Sequence, residues 1–199
     1  MVHTTDQSSP DRISSGGNRV DHLLPFSDCI APRQRNRRLM FVQAKEARRA
    51  LEINPNFPVA YAQKGIALIL SGRARESFSA TQLALRLSPK DPSAVAWRFN
   101  LCHAHLHLRE YKEAIEECTR TINMNNVFWL AYIDLISAYG TTGQLEQARQ
   151  RLAELNKIRP DSTMKWHREF VYGMSSNPQF RREIDDLLDG LRKGGLREQ

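Results

Sequence analysis

From Leu39 onward, apolar residues recur at helical spacing in one segment after another. Leu39, Val42, Ala47, Ala50 and Leu51 share a face of a predicted helix that Pro55 closes, because proline cannot continue a helix. Further helices are predicted over Pro58–Ser71, with Pro58 in its first turn and Gly72 as its stop, and over Arg73–Leu87, which carries Phe78, Leu83 and Leu87. After the connection Pro89-Lys90-Asp91-Pro92-Ser93 the pattern resumes over Ala94–Leu108 and Tyr111–Met124, then over Trp129–Thr142 and Gln144–Ile158, joined at Gly143. Helices of about 14 residues with short joints belong to antiparallel neighbours. A last helix is announced by Asn177 as cap and Pro178 in its first turn. Its apolar residues Phe180, Ile184, Leu187, Leu188 and Leu191 lie on one face before Gly194 and Gly195 stop it. Residues 1–38 show no such period and are predicted to be a disordered arm, with one apolar knot at Leu23-Leu24-Pro25-Phe26.

The same ending closes three of these units: Ala50-Leu51-Glu52-Ile53-Asn54-Pro55, Ala84-Leu85-Arg86-Leu87-Ser88-Pro89 and Leu155-Asn156-Lys157-Ile158-Arg159-Pro160. The first two lie 34 residues apart, a period that belongs to stacked helical hairpins. In residues 58–91 Tyr61, Lys64-Gly65, Leu68, Ala84 and Pro89 fill the marked positions, and in 129–162 Tyr132, Leu135, Tyr139, Gly143, Leu145, Ala148 and Pro160 do so. Between them, 95–128 carries Leu101, Tyr111 and Ala114-Ile115-Glu116, with Cys102 in place of the glycine and Asn126 in place of the proline. These residues resemble the tetratricopeptide repeat, a helix-turn-helix unit in which small residues sit where two helices touch. The resemblance implies an all-α solenoid of antiparallel hairpins, right-handed, with a half repeat at 39–57, repeats at 58–91, 95–128 and 129–162, and capping helices and tail at 163–199. Phe180–Leu191 is expected to cover the open face of the last repeat. The stretch Leu187-Leu188-Asp189-Gly190-Leu191-Arg192-Lys193-Gly194-Gly195-Leu196 also resembles the closing segment of bacterial proteins in which such repeats follow a class III nucleotide cyclase or a winged-helix regulator. That resemblance implies a chain similar to the C-terminal sensory or interaction half of such proteins, standing alone or cut off from its head, and the alternatives to a binding scaffold are a detached regulatory part of one or a degenerate remnant.

Net charge is +7, but the charges are interspersed and only Arg33, Arg35, Arg37 and Arg38 form a dense cluster, so no nucleic-acid role is expected. That cluster reads as a contact for anionic partners, as a solvated spacer, or as sequence from outside the ancestral domain. The longest apolar run, Gly65–Leu70, is far too short for a membrane span, which needs about 20 residues. Cys29, Cys102 and Cys118 form no paired framework, and no secretory segment precedes them. A reduced, cytoplasmic setting is expected, with Cys102 and Cys118 as buried thiols touching within one hairpin.

The strongest hint of chemistry is Cys102-His103-Ala104-His105-Leu106-His107, where His103 and His107 share a helix face at a spacing that can serve zinc. No glutamate follows His103 as a metalloprotease would need, and neither a phosphate loop nor a catalytic triad order occurs, so no enzyme, metal or cofactor is expected. In the repeat register both histidines line the concave surface. The resemblance implies a binding groove built from Ala62, Ile66, Ile69, Phe99, His103, Leu106, His107, Ile133, Ser137 and Thr141, apolar and histidine-rich, suited to an apolar peptide or helix of a protein partner. Apolar surface around Leu39, Val42 and Ala47, left by the missing first helix of the half repeat, is expected to promote self-association or partner docking.

Overall fold

The computed structural model describes residues 45–199 and is helical throughout that range, with no strand among the described residues. Its elements are α1, described over residues 45–53, α2 (Pro58–Leu70), α3 (Ala74–Leu87), α4 (Ala94–His107), α5 (Tyr111–Met124), α6 (Trp129–Thr141), α7 (Leu145–Ile158), α8 (Met164–Met174) and α9 (Pro178–Lys193). α2/α3, α4/α5 and α6/α7 form three antiparallel hairpins, and α3 packs on α4 and α5 on α6, so the hairpins stack in chain order. The arginine cluster, Leu39 and Val42 lie outside the described residues. Ala47, expected on an open surface, is buried with Ala50 against Ala60 of α2.

The repeat is visible in its joints. Asn54, Asp91 and Asn125 each accept a backbone N–H two residues on, from Asn56, Ser93 and Val127, which sets the turn into each hairpin. Tyr61 and Tyr132 donate their hydroxyls to the carbonyls of Pro55 and Asn126 in the preceding turns. The turn within each hairpin needs one residue in the left-handed region, supplied by Gly72 (φ 69°), Arg109 (φ 60°) and Gly143 (φ 75°). Arginine there is strained, and its side chain has a use elsewhere in the fold.

The first two hairpins cross at matched positions, Gly65 over Thr81 and Cys102 over Cys118. A side chain on Gly65 would overlap the Thr81 hydroxyl. At the second crossing the two sulfurs, expected as free thiols, are joined as a disulfide. The close approach of α4 and α5 brings their Cα atoms to 5.0 Å, within the range a disulfide spans.

After the last hairpin the chain makes α8, whose position the sequence reading did not specify. Thr163 caps it by accepting the Trp166 N–H, and the carbonyls of Arg197 and Glu198 complete its first turn by accepting the N–H groups of Met164 and Lys165. Trp166 packs edge-on against Trp129 of α6 and stacks on Phe170, while the Arg159 guanidinium lies over both indoles at 3.9 and 4.4 Å. α9 then begins as predicted, with the Asn177 side chain accepting the N–H groups of Gln179 and Phe180. It covers the first helix of the last hairpin and reaches beyond it. α9 packs chiefly on α6, with further contact to α8 and α4, and its first turn lies against Gly72 at the end of α2. It therefore lies along α6 and part of α4 and reaches only the C-terminal end of α2, on the face that the resemblance makes concave.

Candidate functional site

The expected groove residues do gather on one side, but beneath a helix. Ile66, Ile69, Phe99, Leu106 and Ile133 belong to one buried cluster with Phe180, Ile184, Leu187, Leu188 and Leu191 of α9. Ala62 is buried apart, with Ala84, Ala94 and Trp97, and its carbonyl accepts the side-chain N–H of Asn100. Ser137 donates to the carbonyl of Leu187, and Thr141 is half-buried at the same contact. Burying five large apolar side chains of α9 is worth about 1.5–3 kcal/mol each before ordering costs.

Backbone meets backbone where α9 crosses α6. A side chain on Gly140 would run into the carbonyl of Gly190, and one on Gly190 would come within 2.5 Å of the Ser137 carbonyl and the Thr141 hydroxyl. Glycine inside a helix costs about 1 kcal/mol relative to alanine. Here the close approach offsets that cost. Gly194 is similarly close to Ile136, and Leu196 is buried, so the Leu-Asp-Gly-Leu-Arg-Lys-Gly-Gly-Leu stretch is the part of the chain fitted to α6.

Through this apolar layer runs a chain of four titratable groups. Asp134 Oδ2 is 2.6 Å from His103 Nδ1, His103 Nε2 is 3.1 Å from His107 Nε2, and His107 Nδ1 is 2.7 Å from Glu183 Oε2. Phe99 stacks on His103 and Phe180 on His107, covering the two imidazoles in the middle of the chain. Burial, and then repulsion from His103, hold His107 below its ordinary value against the pull of Glu183. Burial would raise Glu183, but hydrogen bonds from His107 and the Gln179 amide, 2.7 Å away, outweigh it and hold the carboxyl below its usual range. A neutral His107 donating Nδ1–H to an ionised Glu183 satisfies both directions.

The two imidazoles that could have served a metal thus face each other, with their outer nitrogens on carboxylates. His105 points elsewhere, to Glu110 and Phe78. Among the described residues the donor atoms of Cys102, Cys118 and Asp134 also lie within 4.8 Å of one another, but the sulfurs are bonded together and Asp134 is engaged by His103.

Sequence reasoning missed Asp134, Phe180, Glu183 and Gly190 as partners of the groove. Asp134 was detectable: it interrupts Leu130-Ala131-Tyr132-Ile133 and Leu135-Ile136, and a carboxylate buried among such residues needs a donor. The strained Arg109 belongs here too, since it makes two hydrogen bonds, of 2.9 and 2.6 Å, to Asp186 of α9.

No family model matches the chain. A peroxisomal targeting signal receptor of Kluyveromyces lactis is 36% identical over 80 residues, 40% of this chain and 14% of that protein, and the receptor of the same name from Candida glabrata is 35% identical over 78 residues, 39% and 13%. The chain spans about one seventh of the length of these relatives. Among solved structures, a crystal structure of MamA has a TM-score of 0.55 over 80% of this chain and 91% of that chain at 17% identity. A MamA RS-1 ArsTM double mutant gives 0.54, over 80% and 89%, again at 17%. The fold is a tetratricopeptide-like, all-α solenoid. The resemblance of residues 187–196 to cyclase-linked and winged-helix proteins finds no support in these matches. Among the described residues no helix is long and apolar enough to cross a membrane.

Proposed function

We propose that the protein is a non-catalytic scaffold that binds a protein partner by taking an amphipathic helix of it on the face formed by α2, α4 and α6. The observation that carries this reading is α9 itself. The face holds a one-sided helix along α6 and part of α4, with an apolar stripe, a backbone-to-backbone contact and a histidine that receives a carboxylate. This is helix-in-groove recognition, in which anchors at i, i+4 and i+7 supply the energy. The two relatives named as receptors for a targeting signal agree with a role in protein recognition.

The test is affinity capture with the full chain, followed by cross-link mapping. A partner cross-linked to α2, α4 or α6 and lost on Phe99→Ala with His103→Ala is the expected result. Capture that survives both substitutions, with cross-links elsewhere, would overturn the groove assignment.

A further inference from the structure

The concave face already has an occupant. We infer that α9 is a resident pseudo-ligand, and that the partner presents an amphipathic helix of the same pattern which binds only by displacing it. The inference rests on the scaffold reading and adds what the partner looks like and what stands in its way.

Three observations support it. First, α2 to α7 pack on one another in chain order through contacts that do not involve α9. Second, α9 offers the array a single face. Phe180, Ile184, Leu187, Leu188 and Leu191 are inward, while Arg181, Arg182, Asp185, Asp189 and Lys193 are exposed. Third, the buried contact is polar at several points: Ser137 to the Leu187 carbonyl, Glu183 to His107, and Ser175 to the Leu70 carbonyl at 2.7 Å. Of these, the Glu183–His107 pair depends on the side chain of the helix, and a helix without that carboxylate leaves His107 buried without its acceptor.

The partner chemistry follows from the seat. An aromatic residue stacks on His107, a carboxylate three residues later meets the same imidazole, and aliphatic residues follow at four, seven, eight and eleven. The residue at ten is glycine. α9 is tied at one end through Ser175 and Asn177 and at the other by the tail that completes α8. A tethered helix competes at an effective concentration on the order of millimolar, so a free helix at about 10 μM is at a disadvantage of about 100-fold.

The experiment uses the full chain and a labelled synthetic peptide of residues 177–196. Gly190→Leu in the chain places a side chain into Ser137 and Thr141 while leaving every residue of the seat in place. The folded variant is expected to bind the peptide at least 10-fold more tightly than the wild-type chain does. Peptides carrying Phe180→Ala or Glu183→Gln should bind the variant more weakly than the unaltered peptide. A helical, cooperatively melting variant that does not bind the peptide overturns the inference. If the variant fails to fold, hydrogen exchange on the wild-type chain decides: α9 amides exchanging at least 10-fold faster than those of α4 and α6 support displacement, and α9 exchanging together with them overturns it. Trans binding of the peptide without any captured foreign protein would count against the scaffold and leave the self-occupied seat standing. A captured partner that cross-links outside α2, α4 and α6 while α9 stays protected would do the reverse.

Discussion

α8 and α9 are consecutive amphipathic helices that both close the repeat array, and they are held by different physics. α8 is fixed by an aromatic cluster: Trp166 and Phe170 against Trp129, with Arg159 over the indoles. Its His167 is buried among the same rings. Such a contact tolerates small displacements, because dispersion and ring electrostatics vary smoothly with position. α9 is held by an apolar stripe plus features that work in only one register: a glycine against a glycine, a hydroxyl on a carbonyl, and a carboxylate at the end of a proton-sharing chain. The first mode anchors a helix. The second identifies one.

The comparison can be broken most forcefully at Phe180. Phe180→Ala leaves a cavity under α9 and removes the ring stacked on His107, so a loss of about 3–5 kcal/mol is expected in urea unfolding. Trp166→Ala, at a half-buried ring, should cost about 3 kcal/mol. Only the first should speed exchange of the α9 amides selectively, and equal loss of protection in α8 and α9 would show that the two helices form one unit.

Acid should attack the α8 side. Burial first, and then the charge of Arg159, lower His167 to about 3. An unfolded histidine takes a proton below about pH 6.5. Stability contributed by the neutral ring is complete above that value and is lost as pH falls toward 3, by up to about 4 kcal/mol. His107 is shifted in the same direction and adds to the slope. Urea midpoints measured between pH 7 and 4 should fall for the wild type, and His167→Gln should flatten part of the decline.

Two smaller changes sharpen the α9 side. Glu183→Gln keeps the shape and removes the charge, and should cost about 1–2 kcal/mol, seen as faster α9 exchange with α8 unchanged. Arg109→Ala removes the ion pair to Asp186, with its partners 67% and 39% exposed, and should change stability by less than about 1 kcal/mol.

Much of this architecture was legible in the sequence. Every helix of the three hairpins starts and stops within about one residue of where apolar spacing, proline and glycine place it, because those signals act locally. The Asn177-Pro178 start of α9 is equally local. α8 had a signal that went unused: Thr163 as cap, with Met164, His167, Val171 and Met174 on its buried face. Where α9 docks could not be read from its own residues, since an amphipathic helix declares that it has a buried face and not what covers it. The non-local hints were Gly190 in mid-helix and Asp134 in an apolar run, each unfavourable until a partner is supplied from elsewhere in the chain.

On the proposed helix-in-groove reading, the contact between Gly140 and Gly190 gives the face an unusual kind of discrimination. Most recognition rewards a group that a ligand carries, whereas this point rewards one that it lacks. Any helix with a β-carbon at that place stands off from α6 and loses the stacking, the hydroxyl bond and the carboxylate contact together. On the proposed reading, a missing methyl sets the admission rule for the face of α6 and α4.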